Sequence, residues 1–248
     1  MIIGIIPARF ASTRFPGKPL IDIWGKSMIQ RVYERSARAK TLNRLIVATD
    51  DERIRDHVQG FGGEAVMTRQ FHASGTDRCF EALGLLAETY RWVINIQGDE
   101  PFIRHEQIDE LTEAFDEEAE ILTQMIAVSS SEQLFDPGEA KIVLNEKNEA
   151  LYFSRSPIPF VRNVAEKEWH LHHLFYRQVG MYAYRSDILR KLTSLAVTPL
   201  EKAESLEQLR WLQNGFRIKC VLTRYESHCV DVPDDIERIL RITGEIDP

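Results

Sequence analysis

Short apolar runs alternate with helix-like stretches through the first half of this chain. Strands are predicted at residues 2–6, 45–49, 64–68 and 92–96, and helices at residues 27–39, 51–59, 74–89 and 106–115. Helices of this length between strands indicate βαβ units, which build a parallel sheet. The first run contains only isoleucines and one glycine, as expected of a strand that is buried on both faces.

Polar residues mark where the first three helices begin. Ser27 and Gln30 can form a capping box at the first helix. Asp50 is expected to cap the second helix, because an aspartate side chain accepts hydrogen bonds from backbone N–H groups of the first turn. Ser74 opens the third helix.

The second half of the chain has a different pattern. Strands are predicted at residues 121–128, 140–144, 150–153, 179–184 and 216–222, several of them joined by hairpin-like connections, so the sheet becomes mixed there. A helix is predicted over residues 201–214, and a last helix runs from Pro233 to about residue 243. Residues 154–173, which contain two prolines and several charges, predict a long loop. Since no linker divides the chain, residues 1–248 are predicted to be one α/β domain.

Three cations follow the first predicted strand. Arg9, Arg14 and Lys18 lie in a loop that is shaped by prolines and by Gly17. Ligands of parallel sheets bind beyond the carboxyl ends of the strands. The loop therefore predicts a site for a strongly anionic ligand such as a polyphosphate.

Two common nucleotide-binding motifs are missing from this loop. It is not a Walker A motif, because Gly17 and Lys18 are followed by Pro19 instead of serine or threonine. No G-x-G-x-x-G sequence follows the strand either. That absence argues against a nicotinamide-dependent oxidoreductase, which would otherwise share the alternating architecture.

Composition narrows the class of protein further. The 248 residues are 44% apolar and carry a formal charge of −7, which argues against intrinsic disorder and against a general nucleic-acid binder. The cations of the N-terminal loop are therefore a local exception. The three cysteines form no C-x-x-C motif, and no apolar run reaches 18 residues. These features predict a soluble cytoplasmic protein with no membrane or nucleic-acid partner.

Two aspartates are candidate metal ligands. Asp99 follows the fourth strand, where a lone carboxylate is more often a helix cap than a ligand. Phosphates gathered by cations usually carry Mg²⁺, which takes one or two protein carboxylates, so Asp99 is predicted to bind it. Asp231 precedes the last helix and is the candidate second carboxylate, although the acidic residues there also complement the helix dipole.

Taken together, the ordered motifs resemble the CMP-sugar synthetases, and most closely those that act on 3-deoxy-manno-octulosonate (Kdo). The motifs are residues 5–9, 12–19, 47–51, 74–78, 97–101, 150–155, 206–210 and 230–233, and they cover nearly the whole chain. Each motif alone is weak evidence, but their order is specific. The resemblance implies a Rossmann-like nucleotidyltransferase fold and transfer of CMP from CTP to Kdo, giving CMP-Kdo for lipopolysaccharide synthesis. It also implies a homodimer.

The resemblance also assigns roles to individual residues. It implies that CTP is bound by Pro7, Ala8, Arg9, Arg14, Lys18, Ala73, Ser74 and Gly75, with the cations on the phosphates and the backbone around Ala73, Ser74 and Gly75 reading the cytosine. It also implies that Arg14, Lys18 and Asp99 act in catalysis. It implies that Mg²⁺ is bound by Asp99 and Asp231, and the sugar acid by Arg78, Gln97, Gln178, Tyr182, Glu207 and Gln208. Without the resemblance, simpler interpretations stay open: Arg78 as a solvated helix residue, Tyr182 as a core residue, and Glu207 as a partner of Arg210.

One departure from the family pattern concerns the sugar acid. The family usually has histidine within Arg-His-Leu-Gly or Lys-His-Ile-Gly, and this chain has Gln178 in that place. Glutamine can donate a hydrogen bond to a sugar hydroxyl, but it cannot become cationic or act as a base. The departure leaves the reaction type untouched but leaves other sugar acids open, such as 8-amino-Kdo or a sialate. A non-catalytic CTP-binding module is a separate alternative of a different class.

Overall fold

The chain of the computed structural model folds into two compact units. One unit contains Met1–Asp109 and Ser227–Pro248, and the other contains Glu110–Glu226. The structure describes residues 1–11, 15–226, 228–230, 232, 234–237 and 239. The prediction of one domain stays a prediction.

The first unit alternates strands with helices, as predicted. Its strands are β1 (Ile2–Ala8), β2 (Asp22–Ile23), β3 (Lys26–Ser27), β4 (Arg44–Thr49), β5 (Ala65–Met67) and β6 (Trp92–Asn95). Its helices are α1 (Met28–Ser36), α2 (Glu52–Gly60), α3 (Gly75–Gly84) and the start of α4 (His105–Glu113), with a 3-10 turn at Lys18–Leu20.

Strand β1 is the central strand of this unit. It pairs in parallel with β4 on one side and with β6 on the other, so that Ile5 lies opposite both Ile46 and Asn95. Strand β5 extends the sheet by pairing in parallel with β4. Ile3 and Ile5 are fully buried, which confirms the prediction of a buried parallel strand.

Two of the predicted helix starts need correction. Ser27 accepts a hydrogen bond from the backbone N–H of Gln30, but no reciprocal bond from the Ser27 N–H to the Gln30 amide oxygen completes a capping box, and the amide nitrogen of Gln30 donates to Glu34. The cap of α2 is Asp51, which accepts from the N–H of Arg53, and the predicted cap Asp50 instead pairs with Arg78. Helix α3 is capped by Ser74, as predicted.

The second unit has the mixed strands that the sequence predicts. Its strands are β7 (Ile121–Ala127), β8 (Lys141–Leu144), β9 (Ala150–Ser154), β10 (Tyr176–Arg185) and β11 (Ile218–Leu222). Its helices are α5 (Ser131–Phe135), α6 (Trp169–His172), α7 (Ser186–Leu192), α8 (Pro199–Glu204) and α9 (Gln208–Gln213), with a 3-10 turn at Glu166–Glu168. Strand β10 is antiparallel to β7 and β8, whereas β11 is parallel to β7.

Three predicted elements of the second unit also need correction. The helix predicted over residues 201–214 is broken at Ser205, whose φ of 52° separates α8 from α9. The predicted loop 154–173 contains α6, because Trp169 is buried against Val128 and Phe175. Strand β10 begins at Tyr176 instead of residue 179, since it also pairs with β8.

The predicted last helix is described only in part. Residues 234–237 are helical, whereas Pro233 and residues 240–248 lie outside the described residues. Within the described parts of the chain, no helix is both long and apolar enough to span a bilayer. The cytoplasmic location stays a prediction.

Candidate active site

A cavity of about 240 Å³ opens at the carboxyl ends of the parallel strands of the first unit. Its lining consists of Pro7, Ala8, Arg9, Lys18, Pro19, His72, Ala73, Ser74, Gly75, Arg78, Gln97, Gly98 and Asp99. Every predicted site residue of the first unit that the structure describes is in this lining. Arg14 and Asp231 lie outside the described residues.

The loop after β1 carries Lys18 to the cavity through a tight turn. Gly17 adopts a φ of 74°, a conformation that favours glycine, and its N–H donates to the carbonyl oxygen of Phe10 at 3.0 Å. The 3-10 turn then begins at Lys18. The ammonium group of Lys18 donates to Asp99 Oδ2 at 2.8 Å. The Lys18 side chain is 12% exposed and the Asp99 side chain 32% exposed. The loop thereby pairs a candidate phosphate ligand with a candidate metal ligand.

Asp99 reaches the cavity because the chain after β6 passes very close to β1. A Cβ atom at Gly98 would lie 2.9 Å from the carbonyl oxygen of Pro7, so only glycine fits there. On the other side, the N–H of Val230 donates to the carbonyl oxygen of Asp99 at 2.9 Å. The chain therefore passes beside Asp99 one residue before Asp231.

Arg78 is a buried cation in the cavity lining. Its guanidinium donates to Thr68 Oγ1 at 2.7 Å and lies 3.3 Å from Asp50 Oδ1, so the interpretation of a solvated helix residue is wrong. Burial lowers the pKa of Arg78; Asp50 opposes this effect, and the nearby charge of Arg9 adds to it. Two cations close to each other favour an anionic ligand.

His72 lies in the same lining and was missed by sequence reasoning. Its Nε2 atom forms a short hydrogen bond with Glu81, a residue of α3. Glu81 also accepts from the backbone N–H of Arg69 at 3.2 Å. The sequence shows His72 as an isolated histidine, because nothing in the spacing of these residues marks Glu81 as its partner.

The second unit brings together three of the predicted sugar-acid ligands. Gln208 Nε2 donates to Gln178 Oε1 at 2.8 Å, and Gln178 Nε2 donates to the hydroxyl of Tyr182 in a short hydrogen bond. Gln178 Nε2 also lies 3.3 Å from Thr123 Oγ1. Both polar atoms of the Gln178 amide are therefore engaged, which fixes its orientation.

A β-bulge places Gln178 and Tyr182 close together. Val179 lies opposite Gln124 and Tyr182 lies opposite Thr123, so two residues of β10 have no counterpart on β7. Thr123 Oγ1 donates to the carbonyl oxygen of Met181 at 2.9 Å inside this bulge. The hydroxyl of Thr123 thus holds the irregular backbone that carries Tyr182.

Tyr182 and Glu207 have the packing that the simpler interpretations describe. The Tyr182 ring packs against Trp211 and Tyr184 with centroids 5.1 Å and 5.8 Å away, and burial raises its pKa well above the usual range. The hydroxyl therefore keeps its proton and can donate it in a hydrogen bond. Glu207 forms the i,i+3 ion pair with Arg210 at 3.2 Å.

Comparison with known proteins places the chain in a family. A family model described as cytidylyltransferase matches residues 3–219. Proteins from Parabacteroides distasonis and Porphyromonas gingivalis, both named 3-deoxy-manno-octulosonate cytidylyltransferase, are each 51% identical over 243 residues. These matches cover 96% of this chain and 96% and 95% of the two relatives.

Solved structures agree with these relatives. The structure of a CMP:2-keto-3-deoxy-manno-octonic acid synthetase complexed with CTP matches with a TM-score of 0.90 and 40% identity over 98% of both chains. A 4-diphosphocytidyl-2C-methyl-D-erythritol synthase from Anaerococcus prevotii, at 15% identity and a TM-score of 0.62, shares the nucleotidyltransferase fold. The chain belongs to the cytidylyltransferase family, among the 3-deoxy-manno-octulosonate cytidylyltransferases.

Proposed function

We propose that this protein transfers CMP from CTP to the anomeric hydroxyl of Kdo and releases pyrophosphate. The observation that carries the proposal is the cavity of the first unit, where two cations, Arg9 and Lys18, lie with the carboxylate of Asp99. The relatives described above support the choice of CTP and Kdo. A non-catalytic CTP-binding module is not favoured, because those relatives are transferases.

The reaction exchanges one phosphorus–oxygen bond for another. The anomeric oxygen of Kdo bonds to the α-phosphorus of CTP, the bond to pyrophosphate breaks, and the hydroxyl proton passes to solvent. Lys18 and Arg9 bind phosphate oxygens and stabilise the charge that develops on pyrophosphate. Arg14 is proposed to share this role. Positioning and electrostatics thus supply the catalysis.

Mg²⁺ is the proposed cofactor, and the chemistry of the donor set fits it. Asp99 offers hard carboxylate oxygens on the wall of the cavity, and its partly exposed side chain can reach an ion. Among the described residues no group of three or more His, Cys, Asp or Glu could hold a metal alone, which suits an ion that takes further ligands from phosphates and water. When bound, Mg²⁺ withdraws negative charge from the phosphates.

Asp231 is the proposed second carboxylate. The hydrogen bond from the N–H of Val230 to the backbone carbonyl oxygen of Asp99 supports this assignment, because Val230 is the residue before Asp231 in the sequence. The buried side chain of Val230 anchors this passage of the chain among Ile23, Met28 and Phe102.

Gln178, Tyr182 and Gln208 of the second unit are proposed to serve the sugar acid, together with Arg78, Gln97 and Glu207. Because both polar atoms of the Gln178 amide are engaged, we propose that Gln178 orients Tyr182 and Gln208 instead of binding the sugar strongly itself. Replacement of the family histidine then leaves Kdo as the preferred acceptor.

The test measures release of pyrophosphate from CTP in the presence of Mg²⁺, in parallel reactions with Kdo, 8-amino-Kdo or N-acetylneuraminate. We expect turnover with Kdo, and isolation of CMP-Kdo identifies the product. Faster turnover with another acid would overturn the choice of Kdo. CTP binding without release of pyrophosphate in the presence of any of the three acids would overturn the proposed reaction.

We also propose that the protein forms a homodimer through the segment that contains α6. Phe160, Leu171 and Leu174 are large apolar residues of this segment that are exposed to solvent in a single chain. Light scattering after size-exclusion chromatography is expected to give twice the chain mass, and Leu171→Ser with Leu174→Ser to shift the mass toward the monomer. A monomer in the unsubstituted protein would contradict this proposal.

A further inference from the structure

Arg155, the residue after β9, donates hydrogen bonds to the backbone of two separate segments of the second unit. Its Nε atom donates to the carbonyl oxygen of Glu204 at 2.7 Å, and its Nη2 atom to that of Ser205 at 3.3 Å. Its Nη1 atom donates to the carbonyl oxygens of Pro137 and Gly138 at 2.8 Å and 3.4 Å. All three nitrogens of the guanidinium are therefore used to join two stretches of backbone.

The first segment is the break between α8 and α9. Ser205 has a φ of 52°, a left-handed conformation that the surrounding structure has to maintain in a residue with a side chain. The carboxylate of Glu204 supports the break from the other side, because it accepts from the hydroxyl of Ser154 at 2.8 Å and from the backbone N–H of Arg155 at 2.9 Å. Arg155 and Glu204 thus hold each other by side chain and by backbone.

The second segment is the turn of residues 136–139, which precedes β8. The ammonium group of Lys141, a fully buried residue, donates to the first and the last carbonyl oxygen of this turn at 2.7 Å and 2.5 Å. Since Arg155 donates to the two carbonyl oxygens between them, cationic side chains engage all four. The next carbonyl oxygen, that of Ala140, accepts from the backbone N–H of Gln178 at 2.8 Å. The turn therefore supports the backbone of Gln178.

Both segments lead to the hydrogen bond between Gln208 and Gln178. Gln208 is the first residue of α9, three positions after Ser205, and its amide nitrogen donates to Gln178 Oε1 at 2.8 Å. One partner of this bond follows the break, and the other is attached to the turn. Because Arg155 joins the break to the turn, it sets the distance between the two glutamines.

We propose that Arg155 is a positioning residue for the sugar acid, which holds Gln208 against Gln178 so that both amides and the Tyr182 hydroxyl meet the acceptor in a fixed geometry. Every segment that Arg155 joins belongs to the second unit, whereas the cavity proposed for CTP is lined by the first unit. Arg155 therefore acts on the sugar acid and not on CTP. This inference rests on the proposed role of the two glutamines and Tyr182 in binding Kdo.

Arg155→Met tests the proposal, because methionine is a long side chain without a donor. We expect the KM for Kdo to rise about 10-fold, the loss of one or two hydrogen bonds, with the KM for CTP and kcat changed by less than about 2-fold. Arg185→Met is the matched control, since Arg185 lies in the same unit and pairs with Asp187. It should change none of the three constants. An unchanged KM for Kdo in Arg155→Met, or an equal rise in the KM for CTP, would overturn the inference.

A double substitution tests whether Arg155 acts through Gln208. In a Gln208→Ala background, Arg155→Met should raise the KM for Kdo by less than about 2-fold, because the side chain that Arg155 positions is already absent. A further rise of about 10-fold in this background would show that the two residues act independently, and would contradict the proposed positioning.

Glu204→Gln is a milder variant, which keeps the test decisive if Arg155→Met does not fold. The amide retains one acceptor oxygen, so it loses the bond from either the Ser154 hydroxyl or the Arg155 N–H, while the guanidinium can still donate to the backbone. We expect the KM for Kdo to rise about 3-fold, again without a change in the KM for CTP. Equal KM values for Kdo in this variant and the unsubstituted protein would count against the proposal.

Hydrogen exchange provides a measurement that needs no turnover. The backbone N–H groups of Leu209 and Arg210 are hydrogen-bonded at the start of α9, at 3.2 Å and 3.0 Å. We expect them to exchange about 10-fold faster in Arg155→Met, with the amides of α7 unchanged. Equally faster exchange in α7 would indicate a general loss of stability and overturn the inference. An unsubstituted protein that releases no pyrophosphate with Kdo would instead overturn the proposed function, and exchange in α9 would still decide whether Arg155 holds this helix.

Discussion

The ammonium group of Lys18 donates a hydrogen bond to the carboxylate of Asp99 at 2.8 Å, although 81 residues separate them. Each is a candidate ligand for an opposite charge: Lys18 for phosphate and Asp99 for a cation. Their pairing offsets part of the cost of holding both charges in the cavity without a ligand. Because both side chains remain partly exposed, a phosphate–metal complex can separate them.

Asp99→Asn tests the carboxylate directly. The amide keeps the size of the side chain but removes the negative charge, so we expect Mg²⁺-dependent turnover to fall at least about 100-fold with the fold intact. Pyrophosphate release measured across Mg²⁺ concentrations checks this, with circular dichroism for the fold. Asp116→Asn, at a surface carboxylate paired with Lys219, is the control. Near-normal turnover in Asp99→Asn would exclude the metal role.

Lys18→Met tests the phosphate role of the lysine. The apolar side chain keeps the length but loses a charge-assisted hydrogen bond, so we expect CTP binding to weaken about 10-fold to 100-fold. Binding of CMP-Kdo, which lacks the β- and γ-phosphates, should change much less. Calorimetry measures the binding of both ligands to the variant. Lys26→Met is the control, because Lys26 pairs with Glu34 and is not in the cavity lining. Equal losses for both ligands would contradict a role at pyrophosphate.

Arg78→Met tests whether the buried guanidinium is needed for stability. The change leaves the Asp50 carboxylate without its buried partner, so we expect the free energy of unfolding to fall by about 3 kcal/mol. Chemical denaturation measures this value. Asp50→Asn added to Arg78→Met should restore part of the loss, because the amide removes the unpaired charge. An unchanged free energy in the single variant would argue against the pair.

Thr123→Val tests the bulge that holds Tyr182. Valine keeps the branched shape but removes the hydroxyl that donates to Met181 and lies beside the Gln178 amide. We expect the KM for Kdo to rise about 10-fold, the loss of roughly one hydrogen bond, with the KM for CTP nearly unchanged. Steady-state kinetics with each substrate varied in turn measures the two KM values separately. Thr193→Val, at an exposed hydroxyl that donates to the carbonyl oxygen of Arg190, should change neither constant. A parallel rise in both constants would indicate a general structural effect.

Local sequence was sufficient to predict many of the strands and helices of the first unit. The apolar run around Ile5 predicts a buried strand, and Ser74 predicts the start of α3, because both signals depend on residues close together in the chain. The same reasoning failed for the helix predicted over residues 201–214. Its apolar spacing is helical on both sides of Ser205, but the positive φ at Ser205 breaks the helix, a conformation that nothing in the spacing marks.

By itself, the sequence determined the class of fold, the cationic loop after β1 and the carboxylate after β6, since these are carried by short runs of residues at strand ends. Tertiary structure decided which side chains pair: Lys18 with Asp99, His72 with Glu81, and Gln178 with Tyr182 across a bulge. The physical reason is that a hydrogen bond requires an approach of about 3 Å, and that distance is set by the packing of whole elements. The residue types therefore indicated the chemistry, whereas only the fold determined its geometry.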